Sequence, residues 1–132
     1  MAYRHIIWDW NGTLLDDTWL CLEILNHISA RRKMRAISLE SYRAEFGFPV
    51  VDYYRKLGFD LVRDPFERIS LEFVDEYNAR RLECALFAEA QPVVNAIHEL
   101  GIDQVILSAH PQDTLHEIVE IFGLRSYFSK LI

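Results

Sequence analysis

The chain has 132 residues, 51% of them hydrophobic and 26% charged, and a formal net charge of −6 at pH 7. That length makes a single domain the default and supplies ample core material, while no run approaches the ~18 consecutive apolar residues of a membrane span and no basic leader opens the chain, so a soluble, non-secreted protein is expected. The acidic balance disfavours a nucleic-acid partner, whose phosphates draw on a cationic surface, but leaves room for a small phosphorylated metabolite held by a metal and a few local cations.

Ile6-Ile7-Trp8 is a short β-branched and aromatic run that suits a buried strand, and it stops at Asp9, Asn11 and Gly12. A carboxylate therefore sits where a strand ends, which is where open α/β sheets bind ligands, and Gly12 permits a sharp turn whose N–H groups can face an anion. Thr18 to about Lys33 reads as a helix with Leu20, Ile24 and His27 or Ile28 at helical spacing, and Arg31, Arg32 and Lys33 suit the negative end of its dipole. Ser38 is an N-cap for a short helix to Phe46; Gly47-Phe48-Pro49 breaks it, and Val50 to Leu57 forms another, closed by Gly58. Asp64-Pro65-Phe66-Glu67 has the cap acid, first-turn proline and following glutamate of a helix start, with Phe66, Ile69, Phe73 and Tyr77 on one face to about Leu82.

Pro92 opens the next helix and Gly101 closes it, leading into Gln104-Val105-Ile106-Leu107-Ser108, a second buried strand. His110-Pro111 begins a last helix with Leu115, Ile118, Val119 and Phe122 as its apolar face, and Tyr127-Phe128 with Lys130-Leu131-Ile132 reads as the entry to a third strand. His5 reads as strand packing, and His27, His98 and His116 as helix-surface residues. Arg80 and Arg81 read as surface too. Cys21 and Cys84 have no metal spacing and read as reduced packing residues of a cytoplasmic protein. The order of elements describes an α/β core of residues 1–15 and 91–132 with a helical insertion, residues 16–90, after its first strand.

Asp9-Trp10-Asn11-Gly12-Thr13-Leu14 resembles the first motif of the haloacid dehalogenase (HAD) superfamily, Asp-x-Asp-Gly-Thr-Leu. The resemblance implies a Rossmann-like core with a parallel sheet, incomplete here, an all-helical cap formed by the insertion, and a Mg²⁺-dependent phosphatase similar to the phosphoglycolate phosphatases. In that family the first Asp attacks phosphorus, forms an aspartyl-phosphate and binds Mg²⁺, roles that fall on Asp9. Asn11 stands where the family has its general acid. An amide cannot exchange that proton, a loss worth about 10²–10⁴-fold, although its backbone carbonyl can still ligate the metal.

The apolar strand ending in Ser108 resembles the second motif, so the Ser108 hydroxyl and the Ala109 N–H are expected to hold phosphoryl oxygens, with Gly12, Thr13 and His110 in the same substrate-binding loops. Arg43, Arg55 and Lys56, beside the break at Gly47, are candidates for substrate selection. Trp10 beside a non-acidic third residue is also similar to the phosphonoacetaldehyde hydrolase branch, but Val50 stands where that branch has its lysine.

The family's lysine and its pair of metal-binding acids would fall beyond Ile132, and Lys130 precedes the strand that should carry the lysine. The 132-residue chain is accordingly expected to be catalytically impaired, and its Asp9 strand to present an apolar edge open to self-association. The alternative reading is a non-catalytic derivative that binds a ligand or protein.

Overall fold

The computed structural model describes residues 2–132, and their contacts group into two compact units, Met1–Asp17 with Cys84–Ile132 and Thr18–Glu83. In chain order the elements are strands β1 (His5–Trp8) and β2 (Leu15–Asp16), then helices α1 (Thr18–Arg31), α2 (Leu39–Glu45), α3 (Val50–Leu57) and α4 (Phe66–Arg80). Strand β3 (Ala85–Leu86), helix α5 (Ala90–Glu99), strand β4 (Asp103–Ile106), helix α6 (Gln112–Ile121) and strand β5 (Lys130–Leu131) follow. Among the described residues no helix is long and apolar enough to cross a membrane.

The strand-bearing unit holds a parallel three-stranded sheet in the order β1-β4-β5, with Ile7 opposite Val105 and Ile106 opposite Leu131. Both crossovers step the same way along that order, and right-handed connections then lay α5 and α6 on one face. Burial follows this: Gln104 and Ile106 are sealed beneath the helices, and the Gln104 amide donates to the carbonyl of Val94 on α5 at 3.0 Å. The alternate residues of β1 face the other way, and Ile7 is 67% exposed. The uniformly buried first strand expected from Ile6-Ile7-Trp8 is thus corrected to an outer strand whose successive side chains point to opposite faces, only one of them covered.

Other expectations are amended in the same unit. His5 is exposed and pairs with Asp103 at 3.1 Å instead of packing within the sheet. Helix α5 begins at Ala90, two residues before Pro92, and strand β4 closes at Ile106, short of Ser108. Ala85–Leu86 pairs with Leu15–Asp16 as a two-residue antiparallel ladder, so residues 84–90, read from sequence as part of the insertion, group with the strand-bearing unit.

In the helical unit α1 packs against α4, with Leu20, Ile24, Leu25 and Ile28 buried from the first and Ile69 and Tyr77 from the second. Ser38 caps α2 as its sequence indicates, its hydroxyl accepting from the Ser41 N–H at 3.1 Å. Gly58 ends α3 in the left-handed region at φ 97°, a conformation that a Cβ disfavours. Tyr42, Phe46, Tyr53, Tyr54, Phe59 and Phe66 form a chain of ring contacts 5.1–6.0 Å apart for the pairs Tyr42–Phe46, Phe46–Tyr53, Tyr42–Tyr53, Tyr54–Phe59 and Tyr54–Phe66.

Asp64 does not cap α4. Pro65 holds the cap position without a side-chain bond, and the Asp64 carboxylate is taken by Arg32, which also reaches Glu72 at 2.7 Å. A guanidinium fork holds two carboxylates at once, which outweighs one cap bond to a neutral N–H. Arg32 is thereby pushed above its ordinary value, and Glu72 is drawn below the usual carboxylate range, first by its bond from Arg32. Arg81 is buried rather than a surface residue, whereas Arg80 bridges Glu23, Glu76 and Glu83.

Candidate active site

Because β1 and β4 are parallel, their carboxyl ends open at the same sheet edge, and two backbone bonds fix the segment that follows β4. Leu107 N–H donates to the Trp8 carbonyl and Ser108 N–H to the Ile132 carbonyl, each at 2.8 Å. The loop after β1 is wound on Trp10, whose indole is fully buried with its ring centroid 6.3 Å from that of Phe122. The Trp10 carbonyl gathers the N–H groups of Thr13, Leu14 and Leu15 at 3.2, 3.1 and 3.1 Å. Gly12 supplies the reversal at φ 73°, and its N–H donates to the Leu15 carbonyl at 2.9 Å. The N–H groups of Gly12 and Thr13 are therefore spent within the turn and do not face an anion, which corrects that part of the sequence reading.

Asp9 stands exposed at the end of β1 with both carboxylate oxygens aimed: one accepts from the Trp10 N–H at 2.9 Å and the other from the Thr13 hydroxyl at 3.2 Å. Asn11 points elsewhere. Its amide nitrogen donates to Asp17 at 2.8 Å and its amide oxygen accepts from the Ser108 hydroxyl at 3.4 Å, while the Ser108 oxygen accepts from the His110 N–H at 3.0 Å. Residues nearly a hundred positions apart thus meet directly, Asn11 from the first loop and Ser108 with His110 from the second. Ala109 is exposed between them, and its N–H has no backbone partner among the described residues.

As a metal site the loop is partial. Among the described residues no three His, Cys, Asp or Glu side chains converge as a ligand set. The carboxylate of Asp9 and the backbone carbonyl of Asn11 are hard oxygen donors, and the turn uses the Trp10 and Leu15 carbonyls in its own bonds. That chemistry fits Mg²⁺, which takes one or two carboxylates and retains waters.

Asp17 is the residue the sequence reading passed over. It is 2% exposed and anchors Asn11 from the last position before α1. The doublet Asp16-Asp17 carried a faint signal, since two acids on consecutive residues before a helix cannot both be simple caps.

The sequence pattern of the haloacid dehalogenase-like hydrolase family matches residues 6–132. No curated protein matches the chain. Among solved structures, a predicted phosphatase from Clostridium acetobutylicum is 18% identical with a TM-score of 0.78, covering 100% of this chain and 61% of its own. A predicted phosphoglycolate phosphatase from Haemophilus somnus 129pt is 17% identical with a TM-score of 0.78, covering 100% of this chain and 63% of its own. Protein tyrosine kinase A from Mycobacterium tuberculosis is 18% identical with a TM-score of 0.81, covering 98% of this chain and 59% of its own. At these identities the likeness is one of fold, and the chain spans about three fifths of the length of these structures.

Proposed function

The chain belongs to the haloacid dehalogenase-like hydrolase family, and on that footing we propose that it acts as a phosphatase on small phosphate esters with Asp9 as its nucleophile. The observation that carries the reading is the exposed Asp9 carboxylate at the end of β1, oriented by the Trp10 N–H and the Thr13 hydroxyl. Those two bonds fix the plane of the carboxylate before substrate arrives, which is the positional part of catalysis. Attack by an Asp9 oxygen forms a new O–P bond as the ester O–P bond breaks, and the ester oxygen departs with the electron pair. Water then attacks phosphorus, releasing inorganic phosphate and restoring the carboxylate.

Ser108 and Ala109 supply the donors for the phosphoryl oxygens, the first by turning its hydroxyl from Asn11 and the second through its exposed N–H. Mg²⁺ held by Asp9 and the Asn11 carbonyl would supply Lewis-acid charge neutralisation. Asn11 cannot protonate the departing oxygen, so good leaving groups are the better substrates. The helical unit Thr18–Glu83 serves as the cap that selects substrate, and the predicted phosphoglycolate phosphatase among the similar structures supports a small phosphorylated metabolite as that substrate.

One observation favours a second reading, a non-catalytic ligand- or protein-binding module: the Asn11 side chain is fully engaged with Asp17 and Ser108. Mg²⁺-dependent capture of beryllium trifluoride, followed by fluorine NMR, separates the two. The phosphatase reading expects capture by the wild type and none by Asp9→Asn. A wild type that captures nothing leaves the binding module.

A further inference from the structure

We propose that Asp17 is a positioning residue that dictates both the amide at position 11 and the direction of its hydrogen bonds. The proposal rests on the phosphatase reading only for its catalytic consequence. The Asp17 carboxylate oxygen accepts at 2.8 Å, so the group that faces it is the Asn11 nitrogen and not its oxygen. The Asn11 oxygen is thereby turned to Ser108, which must donate to it, and the Ser108 oxygen is left to accept from the His110 N–H. Every donor in the chain His110, Ser108, Asn11 points toward the one buried acid.

Two consequences follow. The Ser108 proton is spent on Asn11 in the resting state, so the hydroxyl must rotate before it can hold a phosphoryl oxygen. And an aspartate at position 11, where the family keeps its acid, would set two carboxylates against each other at hydrogen-bond distance, a contact that neither can make without a proton between them, with Asp17 only 2% exposed. The restoring change is consequently not Asn11→Asp but the exchange Asn11→Asp with Asp17→Asn, which keeps one donor facing one acceptor and moves the acid to the half-buried side of the pair.

The test is a thermal-stability cycle on the full chain at neutral pH: wild type, Asn11→Asp, Asp17→Asn and the exchange. The expected result is a fall in Tm of about 8 °C or more for Asn11→Asp, a smaller fall for Asp17→Asn, which keeps an acceptor, and recovery of the exchange to within about 3 °C of wild type. A general structural role for either residue predicts additive losses and no recovery. The proposal is overturned by an Asn11→Asp protein that melts within about 3 °C of wild type, or by an exchange no more stable than Asn11→Asp. Should Asn11→Asp fail to fold, folding of the exchange supports the pairing and its failure overturns it. An exchange that melts like wild type, beside a wild type that captures no beryllium trifluoride, keeps the pairing and removes the phosphatase reading.

Discussion

Trp10 is the side chain on which the candidate active-site loop is wound, yet its indole N–H is buried and meets no acceptor among the described residues. Replacement by phenylalanine makes a quantitative test. Aromatic side chains bury about 150–250 Å² each, and the step from Trp to Phe gives up roughly 40 Å² of that, about 1 kcal/mol at ~25 cal/mol per Å². Against this, an unsatisfied buried donor costs about 1–3 kcal/mol, which the phenyl ring removes. The two nearly offset, so Trp10→Phe is expected to lie within about 1 kcal/mol of wild type and to retain the contact with Phe122. Trp10→Ala, which removes the ring and leaves a void, is expected to cost about 3–5 kcal/mol and to release the turn that holds Asp9. Urea denaturation followed by circular dichroism measures both. A loss beyond about 2 kcal/mol for Trp10→Phe would falsify the idea that the indole N–H is a liability, and would mean that it has a partner in solution.

Burial, with smaller contributions from Cys21 and Tyr53, pushes the Tyr54 hydroxyl up to about 12. The folded state then keeps a proton that the unfolded chain releases near pH ~10, so this stabilisation is complete below about pH 10 and is lost as pH rises toward the folded value. Urea midpoints at about pH 9 and pH 11 should fall more for wild type than for Tyr54→Phe; equal falls would remove Tyr54 from the account. On the strand-bearing unit, Ile7 is 67% exposed on an outer strand, and such edges invite pairing. Sedimentation over roughly 10–200 µM should show concentration-dependent association that Ile7→Lys suppresses, and identical profiles would refute it.

How far the fold was legible depends on the range of the forces that set each element. Ser38 and Gly58 were readable because a cap and a left-handed terminus are decided within a few residues. Asp9 and Gly12 were readable because a strand ending in an acid and a reversal is again local. The two-residue ladder of Leu15–Asp16 with Ala85–Leu86 carries no periodicity, and nothing in either segment names the other. Asp64 looked like a cap until Arg32, half the helical unit away in sequence, claimed its carboxylate. Arg81 looked solvated for the same reason that any arginine does, since the sequence does not show what surrounds it. At the site, the identity of Asn11 was plain but its direction was not, because Asp17 sets it through space.

The partner of β1 is made late. His5 and Asp103 lie 98 positions apart, whereas the helical unit is one unbroken stretch, Thr18–Glu83. At a synthesis rate of ~5–20 residues per second, the first strand waits on the order of 5–20 s for β4 to exist, an interval long enough for the helices to pack on one another first. Pulsed hydrogen exchange during translation should find α1 and α4 protected before β1, and the reverse order would contradict this. The strand that carries Asp9 is thus among the later parts of this unit to reach its final place: Asp9 acquires its neighbours across the sheet edge only once β4 has been made.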